Sequence, residues 1–267
     1  SLSGSYLTIT GLVFQNGSVG AASVVELRNG SALADHCRLT DCYIKNYNSS
    51  SATDNKWVSL YGTYNRVDNC RFDGKSNLGA TVTIWYASTT YPTPSVSTYH
   101  QIDHNYFLDR SITGATNGGE SIRLGDSNAS RTKGYNVVEY NYFENCDGEI
   151  EIISNKSENN TYRYNTFYNN DGGLTLRHGA NCIVYGNFFF GGIKPGSYGI
   201  RLIDGGHIVT NNYMEGLSGG GSSNLRSPIT VMDGKVGSAA NEYFQVTNAV
   251  VAFNTIVNCN GPGILVG

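Results

Sequence analysis

The amino-acid sequence predicts an all-β protein, a right-handed parallel β-helix built as a solenoid. Three observations support this prediction. Two short strand-like motifs alternate along the whole chain, a column that is mostly asparagine recurs within the first motif, and no segment has the apolar periodicity of a long helix. The composition agrees, because 33 Gly and 19 Tyr but only 5 Pro among 267 residues suit many short strands and turns.

The first motif is an eight-residue segment that usually ends in a large apolar residue. Its copies are LTITGLVF, CRLTDCYI, NRVDNCRF, HQIDHNYF, NVVEYNYF, NTYRYNTF, CIVYGNFF, HIVTNNYM and AVVAFNTI. Consecutive copies lie 22 to 42 residues apart. A repeat of this length, in which each copy adds one turn of chain, is typical of a solenoid.

A column that is mostly asparagine lies two positions before the end of each copy. Stacked amides inside the turns of a solenoid explain this column. Because two cysteines share it, we expect buried free thiols there; the alternative is a disulfide between Cys37 and Cys42. The column consists of Leu12, Cys42, Cys70, Asn105, Asn141, Asn165, Asn187, Asn212 and Asn254.

The second motif is a shorter strand in which apolar and polar residues alternate. Its copies are VVELRN, WVSLYG, VTIWYA, SIRLGD, EIEIIS, GLTLRH, GIRLID, PITVMD and GILVG. Two strands per repeat, with insertions of irregular length, indicate a parallel β-helix. A β-propeller requires four strands per blade, and leucine-rich repeats have a Leu-dominated consensus that these motifs lack.

The repeats run from one end of the sequence to the other, and they predict one β-helix domain over residues 1–267. Both ends look unfinished, because Ser1 directly precedes a first-motif strand and Gly267 ends a second-motif strand, whereas solenoids need terminal caps. Two interpretations stay open: a trimmed chain, and a part of a longer solenoid that further coils or a second chain complete. A processed N-terminus is compatible with export, and the predicted location is secreted or periplasmic.

The composition also limits the partners. A net charge of −3 gives no support to non-specific nucleic-acid binding, and no apolar stretch has membrane-spanning length. We therefore expect neither nucleic acid nor a membrane as a partner. The same charge has the wrong sign to attract an acidic polymer in bulk, so an acidic ligand requires a local site.

Alternation places a candidate site on the segment Glu149-Ile150-Glu151-Ile152. Its isoleucines are expected to point into the core, so that both carboxylates project outward on one face. Two such carboxylates and an asparagine amide oxygen would suit calcium, which takes oxygen ligands. The alternative is a solvated acidic strand that neighbouring arginines neutralise. Because adjacent coils lie about 4.8 Å apart, the same patch should include Arg123, Lys156, Arg177 and Arg201.

Part of the chain resembles polysaccharide lyase family six, which contains alginate lyases and the dermatan-cleaving chondroitinase B. The segments that carry the resemblance are NGGESIRLGDS, NYFENCDGEIEIISNKSENNTYRYNTF, GGLTLRHGANCIVYGNFFFGG and GIRLIDGGHIVTNNY. The specific signature is the glutamate pair, the lysine of NKS and the arginine of LRHG, in that order. The resemblance is strong over about residues 100–215.

The resemblance implies a calcium-dependent polysaccharide lyase that cleaves an acidic uronate polymer by β-elimination. Alginate is the expected substrate, and dermatan sulfate or chondroitin is the alternative. By the same resemblance Asn117, Glu149 and Glu151 would bind Ca²⁺, while Lys156 would be the general base and Arg177 the general acid. The combination makes chemical sense, because a cation on the uronate carboxylate stabilises the charge that develops when the C5 proton is removed.

Three further residues are candidates for substrate binding. Arg201 is expected to bind a substrate carboxylate. His178 directly follows Arg177 and has two interpretations, substrate contact and packing. Arg123 is expected either to bind substrate or to form an ion pair with Glu151.

Two other functions are compatible with the scaffold. An epimerase would abstract the same C5 proton, but it would be expected to carry a Tyr/His/Asp cluster, and no DPHD-like run is present. A non-catalytic glycan-binding solenoid would not need a lysine and an arginine beside a metal site. Only a lyase creates a conjugated, UV-absorbing unsaturated uronate end.

Overall fold

The computed structural model describes residues 1–87, 90–111, 114, 117–219 and 226–267. In these residues the chain forms 29 β-strands and one three-residue 3-10 helix, Ser127–Ala129. The strands lie in three sheets of 11, 9 and 9 strands. Successive turns of the chain add strands to all three sheets in parallel, so the predicted parallel β-helix is confirmed.

The strands follow one another in chain order around the three sheets. The first sheet contains β1 (Gly4–Ser5), β4 (Val25–Asn29), β5 (Ala32–Asp35), β8 (Val58–Leu60), β11 (Val82–Ile84), β14 (Ile122–Leu124), β17 (Glu151–Lys156), β20 (Gly173–His178), β23 (Ile200–Leu202), β26 (Ile229–Val231) and β29 (Ile264–Val266). The second contains β2 (Thr8–Thr10), β6 (Arg38–Thr40), β9 (Arg66–Asp68), β12 (Gln101–Asp103), β15 (Val137–Glu139), β18 (Thr161–Arg163), β21 (Ile183–Tyr185), β24 (Ile208–Thr210) and β27 (Val250–Ala252). The third contains β3 (Val13–Gln15), β7 (Tyr43–Lys45), β10 (Arg71–Asp73), β13 (Tyr106–Arg110), β16 (Tyr142–Cys146), β19 (Thr166–Tyr168), β22 (Phe188–Phe190), β25 (Tyr213–Glu215) and β28 (Thr255–Val257).

Each copy of the first motif forms two strands, so the prediction of two strands per repeat is wrong. In NVVEYNYF, β15 and β16 are separated by Tyr140 and Asn141, and Tyr140 has a φ of 54°. A residue in the left-handed region turns the chain sharply. Each copy therefore contributes one strand to the second sheet and one to the third, which gives three strands per full coil.

The strand pairs are parallel with one exception in the described part of the chain. β4 and β5 form an antiparallel hairpin in which Arg28 pairs with Leu33, and Gly30 with a φ of 58° lies in its turn. The hairpin lies within one insertion. The stacking of coil on coil stays parallel, as it does between β14, β17 and β20.

The asparagine column forms the predicted ladder. The Nδ2 of Asn141 donates to Oδ1 of Asn165 at 3.0 Å, and Asn165 donates in the same way to Asn187 at 3.0 Å. The expected free thiols are confirmed as well, because all six cysteines are unpaired and both Cys42 and Cys70 are buried. The stacked amides satisfy buried backbone groups at each corner of the solenoid.

The core beside this ladder is a stack of phenyl rings. The terminal residues of five first-motif copies, Phe72, Phe107, Phe143, Phe167 and Phe189, stack with centroids 5.0, 4.8, 4.7 and 4.5 Å apart. All five are buried.

In the described residues no helix is long and apolar enough to cross a membrane.

Replacing Asn165 with alanine should destabilise the fold strongly. The side chain of Asn165 makes four hydrogen bonds, to Asn187, Val138 and both the backbone and side-chain nitrogens of Asn141. Because their buried partners would be left unsatisfied, we expect a loss of about 2 to 4 kcal/mol in the free energy of unfolding, measured by urea denaturation. The exposed Asn128 provides the control, since Asn128→Ala should change it by less than about 0.5 kcal/mol. Equal losses in the two variants would contradict a structural role for the ladder.

Candidate active site

The strand that carries the glutamates departs from simple alternation. β17 begins at Glu151, and its pairing with β20 is irregular between Glu151 and Ile153. A bulge of this kind adds one residue to one strand, and it leaves both Ile152 and Ile153 buried. Glu149 and Glu151 both line one cavity, which is described below. Ile150 lines the same cavity, so its predicted position in the core is wrong.

A cavity of about 310 Å³ lies over β17 and β20. Seven of the eight site residues that the sequence predicts line it, and Arg123 is the exception. The lining consists of Asn117, Ser127, Glu149, Ile150, Glu151, Lys156, Arg177, His178, Arg201, Asn241 and Tyr243.

Arg123 lies outside the cavity lining. It pairs with Ser154 on β17, and its guanidinium carbon lies 5.2 Å from the ring centroid of Trp85. Arg201 lies three strands further along the same register column and does line the cavity, so the predicted patch is wrong for Arg123, and substrate binding by Arg123 stays a prediction. The alternative ion pair with Glu151 is wrong as well, because Glu151 pairs with Arg201.

Glu151 and Arg201 form a buried ion pair at the base of the cavity. Nη2 of Arg201 donates to Oε1 of Glu151 at 2.5 Å, and the Ser154 hydroxyl donates to Oε2 at 2.5 Å. Burial disfavours the Arg201 cation, but Tyr198 and Glu151 outweigh it, and the pKa of Arg201 is raised. Nε and Nη1 of Arg201 are buried and have no partner among the described residues, and Arg201 lines the cavity.

Glu149 and Glu120 have buried carboxylate oxygens without hydrogen-bond partners. Both oxygens of Glu120 and Oε2 of Glu149 lack one among the described residues. Burial raises the pKa of Glu149 to about 8, and repulsion from Glu120 and Glu151 adds to the effect. Unsatisfied buried oxygens call for an explanation, and a bound cation would provide one. Glu120 directly follows Gly118-Gly119 and is not among the residues that the sequence predicts for the site.

The acidic side chains do not form a complete metal site by themselves. Across the described ranges, no group of three or more His, Cys, Asp or Glu side chains could hold a metal ion. A calcium site here would also require the amide oxygen of Asn117, which is exposed at the cavity, and ligands from water or substrate.

The raised pKa of Glu149 predicts a pH dependence of stability in the metal-free protein. The unfolded chain loses this proton near pH 4.5, whereas the folded chain keeps it until about pH 8. Between these values a rise in pH therefore favours unfolding. In chelator we expect the Tm of the wild type to fall more steeply than that of Glu149→Gln, measured by calorimetry at pH 5 and pH 8. Parallel pH profiles for the two proteins would contradict the assignment.

Lys156 projects into the cavity from a rigid segment. Its neighbours Asn155 and Ser157 are fully buried. Oδ1 of Asn155 accepts a hydrogen bond from the Tyr162 hydroxyl at 2.7 Å, and Oγ of Ser157 forms one with the Tyr86 hydroxyl at 2.7 Å. These hydrogen bonds fix the backbone on both sides of Lys156, so the side chain of Lys156 extends from a defined backbone position.

His178 combines the two interpretations that the sequence leaves open. It lines the cavity, but it is only 1% exposed, and its ring packs edge-on against Phe244 with centroids 5.8 Å apart. Burial, with the nearby Arg177 and Lys156 cations, lowers the pKa of His178 to about 2. The ring is therefore neutral, and its Nε2 lies 3.3 Å from the Ser127 hydroxyl.

Arg177 is held from outside its own coil. Its Nη1 donates to the Glu242 carbonyl at 2.9 Å, its Nη2 donates to the Asn241 carbonyl at 3.3 Å, and Tyr243 lies against its guanidinium. Burial lowers the pKa of Arg177, although Glu151 and Tyr243 oppose the shift. Residues 241–243 lie outside both repeated motifs, so the sequence does not predict their place at the site.

Comparison with known proteins places this β-helix in the class of the polysaccharide lyases. A family model described as Chondroitinase B matches residues 1–266. The chain belongs to this family, and the resemblance to polysaccharide lyase family six is confirmed. No curated protein matches the sequence.

Two solved structures illustrate the similarity. The family 6 alginate lyase AlyGC has 43% sequence identity and a TM-score of 0.86, over 93% of this chain and 33% of that one. A mannuronic acid specific family 6 lyase from human gut microbiota has 32% identity and a TM-score of 0.84, over 98% of this chain and 60% of that one. The chain thus spans between one third and three fifths of the length of these two relatives.

Proposed function

We propose that this β-helix is a calcium-dependent polysaccharide lyase that cleaves alginate by β-elimination. One observation carries the proposal: a single cavity brings together Lys156, Arg177 and the three residues expected to bind calcium. The choice of alginate is supported by the relatives, since AlyGC is described as an alginate lyase. Those relatives are longer, so the activity of this chain is itself part of the proposal.

The proposed calcium ligands are Asn117, Glu149 and Glu151, with Glu120 close to them. The unpartnered oxygens of Glu149 and Glu120 fit a divalent cation. When bound, calcium would neutralise the uronate carboxylate and stabilise the charge that develops as the C5 proton leaves.

The side chains around this site divide the remaining work. Lys156, in its neutral form, accepts the C5 proton, and the electrons of the C5–H bond form the C4–C5 double bond. The C4–O4 bond breaks toward O4, where Arg177 donates a hydrogen bond or a proton. Arg201 uses the N–H groups of its unpaired Nε and Nη1 to bind a substrate carboxylate. His178 is neutral, packs against Phe244, and places its Nε2 beside the Ser127 hydroxyl.

A dermatan sulfate lyase is the second candidate, and the Chondroitinase B family model favours it. A UV assay on alginate, polymannuronate, polyguluronate and dermatan sulfate separates the possibilities. Alginate substrates should give rising absorbance from the unsaturated ends. A signal on dermatan sulfate alone would reverse the substrate assignment. No signal on any polymer, with binding retained, would leave a glycan-binding module, and a change in uronate configuration would identify an epimerase.

We also propose a secreted or periplasmic location, because intact alginate is too large to reach an enzyme in the cytoplasm. Fractionation of the source cells followed by the UV assay measures this. Activity confined to the cytosolic fraction would contradict it.

A further inference from the structure

The segment 232–245 forms a second wall of the cavity. It leaves the solenoid after β26 and returns where the backbone of Asp204 donates to the Phe244 carbonyl at 3.2 Å. Asn241 and Tyr243 line the cavity from this segment. An adjoining cleft of about 460 Å³ lies on the other side of Tyr243, bordered by Asp233 and Lys235.

Phe244 anchors this wall. It is 6% exposed, it packs against the ring of His178, and the Arg131 guanidinium lies 4.4 Å from its centroid. Arg131 is fixed in turn by Asp204, at 2.6 Å. The residue before Phe244 is therefore held at a defined place beside the cavity.

Tyr243 faces Arg177 from that anchored position. The guanidinium carbon of Arg177 lies 4.1 Å from the Tyr243 ring centroid, which is the range of a cation–π contact. The same segment supplies the two carbonyls that accept from Nη1 and Nη2. A guanidinium has five N–H donors in one plane, so these contacts occupy two of them and leave the others for the cavity.

Electrostatics explain why Arg177 needs these contacts. Arg201 and Lys156 line the same cavity, and like charges repel. In the described part of the chain the polar hydrogen-bond partners of Arg177 are carbonyls, so no hydrogen-bonded carboxylate fixes it. The charge of Glu151 offsets part of this repulsion, and the aromatic face and the carbonyls are the groups in direct contact with the guanidinium.

We infer that Tyr243 is a positioning residue for Arg177. Its ring holds the guanidinium flat, so that the free N–H groups point at the departing O4 of the substrate. This inference rests on the proposed lyase function and adds to it a residue that acts through another.

Kinetics of Tyr243 variants on alginate test the inference. Tyr243→Leu should lower kcat about tenfold and change KM by less than about twofold, because a desolvated cation–π contact is worth a factor of this size. Tyr243→Phe keeps the ring and should retain kcat within about twofold. In an Arg177→Ala background, where no cation is left to position, Tyr243→Leu should have no further effect. If Tyr243→Leu is unstable, Tyr243→Met provides the same comparison.

Tyr168 provides the matched control, because it is 41% exposed, close to the 40% of Tyr243, and lies on the third sheet. Tyr168→Leu should leave kcat unchanged. The inference is overturned if Tyr243→Leu keeps the wild-type kcat, or if it loses as much in the Arg177→Ala background. Wild-type protein that is inactive on every polymer would contradict the proposed function instead.

A crystal structure of Tyr243→Leu tests the same inference without activity. The Arg177 guanidinium should leave the position it has in the wild type. An unmoved guanidinium would overturn the positioning role.

Discussion

Lys156→Ala is expected to lower the rate of alginate cleavage by about a hundredfold or more. A positioned proton acceptor contributes a factor of about 10² to 10⁴, and Lys156 has this role in the proposed mechanism. The UV assay at saturating alginate measures the loss in kcat. Arg177→Ala should show a loss of similar size, and the double variant should lose less than the product of the two, because both groups act in one transition state.

Lys156→Arg separates a base from an electrostatic contact. A guanidinium stays protonated at working pH, so it keeps the positive charge but cannot accept the C5 proton. We therefore expect Lys156→Arg to be nearly as inactive as Lys156→Ala. Near-normal turnover would show that Lys156 only contributes charge, and the neutral His178 would then be the next candidate for the base.

The controls concern folding and surface charge. Lys156 is half-buried at the cavity, so its replacement should change the free energy of unfolding by less than about 0.5 kcal/mol. Lys133 is exposed and lies outside the cavity lining, and Lys133→Ala should leave kcat unchanged. A large drop in Tm for Lys156→Ala would indicate a structural role instead.

The repeats made most of the fold predictable. Nine copies of each motif correspond to strands of the solenoid, and the asparagine column forms its ladder because amides stack only when consecutive coils are in register. The third sheet was not predictable from apolar periodicity. It depends on corner residues such as Tyr140 and Asn145, whose positive φ values are set by the packed coils. Tyrosine has no strong intrinsic preference for that conformation.

The site residues that lie in the repeated strands were predictable from the sequence, and those that depend on a bulge or on an irregular segment were not. Glu149, Lys156 and Arg177 reach one cavity because neighbouring coils stack strand on strand. The bulge in β17 is invisible in an alternating pattern, and the choice of Arg201 rather than Arg123 as the partner of Glu151 does not follow from strand register, because both arginines lie in one column. The contacts of Arg177 come from residues 64 and 65 positions later in an irregular segment, and no sequence period points to them.

Removal of calcium is expected to abolish activity, and added calcium should restore it. The proposed transition state places charge beside the uronate carboxylate, and Glu149 and Glu151 cannot stabilise that charge by themselves because they are acidic. Chelator treatment followed by the UV assay measures the loss, which we expect to be about a hundredfold or more, since a metal ion contributes several kcal/mol to such a step. Full activity in excess chelator would contradict calcium dependence.

The double variant Glu149→Gln plus Glu151→Gln tests the ligands by stability as well as activity. Calcium at about 100 times its Kd should stabilise the wild type by about 2.7 kcal/mol, seen as a rise in Tm. The double variant should show almost no rise, and calcium should not restore its activity. In chelator, Glu149→Gln alone should be more stable than the wild type at pH 8, because it removes a buried carboxylate that Glu120 repels. Glu215→Gln, on the third sheet, is the control and should respond to calcium like the wild type. An equal rise in Tm for the double variant and the wild type would place the calcium elsewhere on the chain.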